Sequence, residues 1–280
     1  MSRINEALKK AAEERPSQLA AFAPPRETQS EGFEQVTVLK PEPPVNARLV
    51  TLTKVQSVSA EKFRVLSTRL RHLQSQRPLK AVLITSCVPG EGKSFVAANL
   101  AVTLARGQNQ KVLLLGGDLR QPGLSSIFGF QKLPGLAEYL QGGTDLTGLL
   151  CRLERMPLWF LPAGNSAQSP TDLLQSDRLA ELIARLAGSF DWVLVDSPPM
   201  VPWADANIWA RLTDGILLVV RENKAPKTLL AEALESLDNP SILGVVFNQE
   251  SERACAYDSY HEKYAVHQKN GKGGNGLGKY

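Results

Sequence analysis

Six residues of β-type character, Ala81-Val82-Leu83-Ile84-Thr85-Ser86, run directly into Cys87-Val88-Pro89-Gly90-Glu91-Gly92-Lys93-Ser94. Phe95 to Ala105 then reads as a helix. A strand, a glycine-bearing loop and a helix in that order bring backbone N–H groups and a helix N-terminus to one point, an arrangement suited to polyphosphate. The cradle would comprise Pro89, Gly90, Glu91, Gly92, Lys93, Ser94 and Phe95. Lys93 would reach the β- and γ-phosphates of ATP, and the Ser94 hydroxyl would bind Mg²⁺. The loop departs from the strict pattern GxxxxGK(S/T) at its first position, where Cys87 stands in place of glycine. An ordinary strand-to-helix turn leaves the lysine and serine at the helix start unexplained.

Two further apolar runs end in acids. Lys111-Val112-Leu113-Leu114-Leu115 is followed by Gly116-Gly117-Asp118-Leu119-Arg120-Gln121-Pro122, and Trp192-Val193-Leu194-Val195-Asp196 by Ser197-Pro198-Pro199. In an open parallel sheet the strand C-termini form the ligand crevice. Asp118 and Asp196 would then lie beside the loop, where carboxylates hold Mg²⁺ or its waters. Taken singly, each aspartate reads equally as a helix cap or turn residue. Arg120 is placed to steady the second segment or a phosphate. With further strands at 157–161, 215–221 and 244–248, the chain is expected to be α/β. The expected form is a mostly parallel sheet with helices on both faces and a P-loop NTPase architecture. Runs such as Ile216-Leu217-Leu218-Val219-Val220 fit strands buried on both faces.

Together these segments resemble the bacterial protein-tyrosine kinase family, whose site combines a PGxGKS loop, a DxDxR motif and a Walker B aspartate. The likeness runs from about residue 49 to 249. It takes in Gly135-Leu136-Ala137-Glu138-Tyr139-Leu140-Gln141-Gly142, Leu161-Pro162-Ala163-Gly164 and Leu243-Gly244-Val245-Val246-Phe247-Asn248. MinD- and ParA-like partition ATPases share the architecture but carry a lysine where this chain has Val88. The resemblance implies catalytic roles for Lys93, Asp118 and Asp196, with Mg²⁺ held by Ser94, Asp118 and Asp196. Asn248 would contact the base. Gly116 replaces the first aspartate of DxDxR, and any carboxylate restored there must suit the backbone, since glycine permits positive φ. In the oligomerisation motif ExxRxxR, Glu61 and Arg64 match, while Ser67 replaces the last arginine. The resemblance further implies a homo-oligomer, possible ring assembly, and a membrane-anchored partner in surface polysaccharide export.

Composition narrows the alternatives. The 280 residues are 43% apolar, ample for one substantial α/β core with extensions. The 32 basic and 28 acidic residues leave a formal charge of +4, too mild to argue for nucleic acid. Cys87, Cys151 and Cys255 have no metal-ligand spacing, and His72, His261 and His267 form no cluster. No apolar run approaches the ~18 residues needed to span a bilayer. The N-terminus lacks the apolar stretch of a signal peptide. A cytoplasmic protein, held at the membrane through a partner, is therefore expected.

The ends differ from the core. Residues 1–14 read as a short interaction helix, with Ile4, Ala7, Leu8 and Ala11 at helical spacing. Residues 15–48 hold Pro16, Pro24, Pro25, Pro41, Pro43 and Pro44 and read as a linker. The P-loop domain covers 49–250, opening on a helix at 59–73 with Phe63, Leu66, Leu70 and Leu73 inward and Arg64, Arg69 and Arg71 outward. Residues 251–280 form a polar, glycine-rich tail carrying Tyr257, Tyr260, Tyr264 and Tyr280, four of the chain's five tyrosines. The resemblance implies that such a tail accepts phosphate on these tyrosines from a neighbouring subunit; the alternative is a tail that docks its aromatics on a partner. Three functional classes therefore stand: a tyrosine autokinase, a nucleotide-binding regulator without transferase activity, and a partition-type ATPase.

Overall fold

The β-strand ahead of the glycine loop, β2 (Ala81–Ser86), is buried along its whole length. Alternate side chains serve opposite faces, as strand pleating requires. Val82 and Ile84 join one hydrophobic cluster and Leu83 the other. The computed structural model describes residues 33, 36–44, 49–107, 110–165, 168–237 and 241–248. Its strands are β1 (Thr37–Leu39), β2, β3 (Val112–Gly116), β4 (Cys151–Leu153), β5 (Leu158–Leu161), β6 (Trp192–Asp196), β7 (Gly215–Val220) and β8 (Ile242–Phe247). They form one sheet in the order β1-β4-β5-β3-β6-β2-β7-β8, parallel except where β4 meets β5. The expected α/β architecture is borne out.

Both faces are covered. On one lie α1 (Val50–Thr53), α2 (Val58–Gln76) and α3 (Lys93–Gly107), and α4 (Leu124–Ile127) joins the same cluster through Leu124. On the other lie α5 (Leu136–Gln141), α6 (Leu146–Leu149), α7 (Pro170–Leu174), α8 (Asp177–Ser189), α9 (Asp205–Leu212) and α10 (Lys227–Glu235). Leu113, Leu114 and Leu115 are wholly buried, and each stabilises the fold by roughly 2 kcal/mol. Ala97, Ala98, Ala101 and Ala105 of α3 are small and buried, which lets this helix sit close against the sheet. That proximity fixes where its N-terminus, and hence Lys93, emerges.

α2 begins at an N-cap, Ser57, whose hydroxyl accepts from Ala60 N at 3.2 Å. Phe63 and Leu70 are buried as the spacing predicts. Arg71 is not free on the surface: Nη2 donates to Leu104 O at 3.0 Å and Nε to Gln110 Oε1 at 3.1 Å. It therefore satisfies a carbonyl near the C-terminus of α3, a place that favours a cation.

Part of the segment expected to be linker is built into the sheet. β1 pairs in parallel with β4, and Phe33 is only 6% exposed. Its ring stacks on Phe190 at 5.6 Å, and its carbonyl accepts from Trp159 Nε1 at 3.0 Å. The prolines obscured a β-type tetrapeptide, Val36-Thr37-Val38-Leu39. Residues 1–14 and 251–280 lie outside the described residues. A chain shortened to begin at Leu49 is expected to melt roughly 4–8 °C below one shortened to begin at Gly32, reflecting about 2 kcal/mol of lost aromatic burial. Equal melting temperatures in calorimetry would mean that 33–44 contributes nothing to stability.

Candidate functional site

The loop between β2 and α3 owes its shape to two glycines and one buried carboxylate. Gly90 and Gly92 have φ of +81° and +95°, in the region that disfavours side chains. At Gly92 a Cβ would also stand 2.0 Å from Asn248 Nδ2. Glu91 is fully buried. Its Oε2 accepts from Val88 N at 2.9 Å, closing the loop on itself, and its Oε1 accepts from Arg221 N at 3.2 Å, at the end of β7. Asn248 Nδ2 donates to the Glu91 carbonyl at 2.8 Å, and Asn248 N to Val220 O at 2.9 Å. Two neighbouring strands thus brace the loop from one side.

Within the expected cradle, then, Glu91 offers a ligand only its backbone. Phe95 likewise turns its ring onto Phe63, edge to face at 5.7 Å between centroids. Asn248, expected at the base, spends its side-chain N–H on the loop.

The C-termini of β3 and β6 bring the acids to the same place. Register pairs Ile84 with Asp196 and Gly116 with Asp196, so the three strands end side by side. Lys93 Nζ lies 3.0 Å from Asp118 Oδ2. The other Asp118 oxygen accepts from Arg120 N at 3.2 Å and Gln121 N at 2.9 Å, an Asx-type turn that aims the carboxylate inward. Asp196 is 2% exposed, and its Oδ1 has no hydrogen-bond partner. Burial pushes the Asp196 carboxyl up to about 6; Lys93 and the Ser94 hydroxyl pull it down, and Asp118 raises it.

An orphaned buried carboxylate oxygen beside a serine hydroxyl suits a hard divalent cation. Among the described residues no group of three or more His, Cys, Asp or Glu forms a metal cage. A Mg²⁺ here would therefore take Ser94 and the aspartates together with oxygens from a nucleotide, as this ion commonly does.

Arg120 is engaged elsewhere. Its Nε donates to Asp205 Oδ2 at 2.7 Å, and its Nη2 to Asp205 Oδ1 at 3.1 Å and Thr171 Oγ1 at 2.7 Å. The guanidinium also sits 3.8 Å from the centre of the Trp203 ring. Of its two expected roles, this geometry suits steadying the second segment rather than holding a phosphate. Asp205 is completely buried and was not legible in the sequence, where an aspartate opening an amphipathic helix reads as a cap. Cys87 lies beneath the loop, and burial with the nearby Glu91 charge pushes its thiol up to about 11. It is no nucleophile at neutral pH.

Gly116 has ordinary strand backbone; its φ is not positive. What demands glycine is Ala163, since a Cβ at 116 would lie 2.8 Å from Ala163 N and 3.3 Å from its Cβ. Next to it opens a cavity of about 270 Å³, bordered by Gly116, Asp118, Ser126, Lys132, Asn165 and Asp196. On α2, Glu61 and Arg64 are paired with each other at the surface, and Arg64 Nη2 donates to Val55 O at 2.6 Å. Ser67 is buried and donates to Arg64 O at 2.8 Å, so its position faces inward.

Loop, paired lysine, and two strand-end aspartates make this a P-loop nucleotide site. No protein-family model matches the chain. The tyrosine-protein kinase YwqD of Bacillus subtilis is 34% identical over 202 residues, covering 71% of this chain and 85% of that protein. The succinoglycan biosynthesis transport protein ExoP of Rhizobium meliloti is 34% identical over 199 residues, covering 69% of this chain but only 25% of that longer protein. Among solved structures, the kinase domain of Escherichia coli tyrosine kinase ETK superposes with a TM-score of 0.69 at 27% identity, covering 74% of this chain and 82% of that one. The septum site-determining protein MinD of Pyrococcus horikoshii, complexed with Mg-ADP, gives 0.53 at 25% identity, covering 65% and 76%. This chain belongs to the bacterial tyrosine-protein kinase family.

Asp196 sets a pH dependence. Its folded-state value, about 6, lies above the ordinary aspartate value of 3.8, so the folded protein holds a proton that the unfolded chain releases. The resulting stability is present at low pH and is lost as pH rises through about 6. Asp196→Asn should remove that slope and raise the stability of the nucleotide-free protein at pH 7 by on the order of 2 kcal/mol. Melting curves at pH 5 and pH 7 check it; a wild-type slope retained in the variant would contradict the assignment. Gly116→Asp should instead destabilise the fold by about 1–3 kcal/mol, because Ala163 backbone must move. Chemical denaturation measures that loss directly.

Proposed function

We propose that the chain is an ATP-dependent protein-tyrosine autokinase that phosphorylates its own C-terminal tyrosines, in trans, within a surface polysaccharide system. The observation that carries this reading is the convergence of Lys93, Ser94, Asp118 and Asp196 at the ends of three adjacent strands, in a member of a tyrosine-kinase family. Loop amides and the α3 N-terminus would bind the phosphates of ATP. Lys93, released from Asp118, would follow charge onto the transferred group. Ser94, Asp118 and Asp196 would hold Mg²⁺, which neutralises phosphate oxygens when bound. An acceptor phenol entering the cavity beside Gly116 would pass its proton to the carboxylate of Asp118 or Asp196 as its oxygen bonds to the γ-phosphorus, while the bond to the β,γ-bridging oxygen breaks and that oxygen leaves with ADP. Such transfer depends mainly on positioning and charge stabilisation.

The acceptors would be Tyr257, Tyr260, Tyr264 or Tyr280. At full extension the tail from Asn248 to Tyr264 reaches roughly 55 Å, enough for a neighbouring subunit's site. Glu61 and Arg64 would lie at that subunit contact, with a membrane-anchored co-polymerase acting as activator at the inner face of the membrane. Among the described residues no helix is long and apolar enough to cross a bilayer. A second reading, a nucleotide-binding regulator without transfer, is favoured by Gly116 alone. With no carboxylate at 116, the group available to orient the phenol must come from Asp118 or Asp196, and losing a general base typically costs about 10²–10⁴-fold in rate.

The test mixes Lys93→Met protein bearing an intact tail with wild-type protein truncated after Gln249, in Mg-ATP. Tail phosphotyrosine is then read by mass spectrometry. The proposal expects modification of the inactive copy, rising with concentration. Nucleotide binding with no phosphotyrosine under any mixing would favour the regulator.

A further inference from the structure

The turn joining β7 to α10 leans over the phosphate loop. Arg221 N donates to the buried Glu91, which ties the start of the turn to the loop. Lys224 N then donates to Arg221 O at 3.3 Å, and Asn223 between them has a φ of 57°, in the left-handed region. Asparagine tolerates that conformation better than most residues, and it reverses the chain over a short distance. The reversal brings the Lys224 side chain back across the loop. Its Cε and Nζ lie 3.4 Å and 3.6 Å from where a Cβ on Gly90 would stand.

Charge at the site gives this placement a meaning. Asp118, Asp196 and Glu91 are all buried around the loop. Lys93 is paired with Asp118 and Arg120 with Asp205, and neither pair involves Lys224. Val88 leaves the loop itself without a second lysine. A polyphosphate arriving here adds several negative charges to a site whose own lysine is already partly neutralised. A lysine ammonium on a flexible four-carbon stem, its head held beside Gly90, can meet those charges with little rearrangement.

We propose that Lys224 is a second phosphate-facing cation of this site, delivered from the β7–α10 turn and closing on the polyphosphate from the Gly90 side. This rests on the nucleotide-binding reading above and adds to it a residue that no loop motif contains. Lys224 also couples the nucleotide to the turn, so bound polyphosphate should order residues 221–226 against the loop.

Titration calorimetry of Mg-ATP, Mg-ADP and adenosine into wild type, Lys224→Ala, Lys224→Arg and Lys224→Glu tests this, with Lys93→Met as control. Lys224→Ala should weaken both nucleotides about tenfold, the worth of one charge-assisted hydrogen bond, while leaving the melting temperature of the free protein unchanged. Lys224→Arg should recover most of the affinity, Lys224→Glu should lose more, and the salt dependence of binding should flatten in Lys224→Ala. Wild-type affinity in both Lys224→Ala and Lys224→Glu, with binding lost in Lys93→Met, overturns the proposal and leaves the nucleotide site standing. An equal loss for adenosine also overturns it, since the lysine would then not be reading phosphate. If Lys93→Met itself binds as tightly as wild type, the nucleotide site is misassigned and Lys224 has no such role.

Discussion

A buried carboxylate holds the phosphate loop in shape. Glu91 has no exposed surface, and its two oxygens accept from Val88 N inside the loop and Arg221 N at the end of β7. Such a group is costly to bury unless its lone pairs are met, and backbone N–H groups meet them. The consequence is geometric. With the side chain turned inward, the loop's remaining amides and the positive-φ glycines at 90 and 92 are left to face a ligand. Asn248 adds a second fastening on the Glu91 carbonyl. The loop is therefore shaped by β7 and β8 before any nucleotide arrives.

The opposite side of the site is fixed by β3 and β6. Their register with one another and with β2 sets Asp118 and Asp196 level with the loop, and Lys93 bridges across to Asp118. Arg120 and the buried Asp205 lock the segment after β3 onto the start of α9, with Trp203 stacked outside. Removing Asp205 alone would strand the Arg120 charge in a half-buried place, so this pair is a positioning element for Asp118. The orphaned oxygen of Asp196 is the counterpart of this order: it is a buried polar atom of the site for which the described residues supply no partner.

Much of this was legible in the sequence because the informative segments are continuous. The strand at 192–196 has the bounds its apolar run predicts, and those at 112–116, 158–161, 215–220 and 242–247 differ by a residue or two. The loop and its two aspartates were legible because each lies at or just beyond the end of a strand. β1 and β4 were not, since three-residue strands at 37–39 and 151–153 carry too little pattern. Side-chain direction was the other gap. Glu91, Phe95, Arg120 and Asn248 sit where the motif places them, yet each spends its side chain on a tertiary partner. Arg120 and Asp205 are 85 residues apart, and no local spacing reveals such a pair. Gly116 illustrates the same limit: its need for glycine comes from Ala163 on a neighbouring segment rather than from its own backbone.

The central claim, that a side chain no ligand can touch sets the affinity of the site, is tested most directly by titrating Mg-ATP into Glu91→Ala and Glu91→Gln beside wild type. Glu91→Ala leaves two buried N–H groups unmet, and each such loss costs about 1–3 kcal/mol. The account predicts that Mg-ATP affinity falls by at least about tenfold in Glu91→Ala. Glu91→Gln should fall between the two, because its amide can accept from one N–H but opposes the other with a donor. Wild-type affinity in both variants, with the fold intact by circular dichroism, would contradict the account and place the shaping of the loop in its glycines alone.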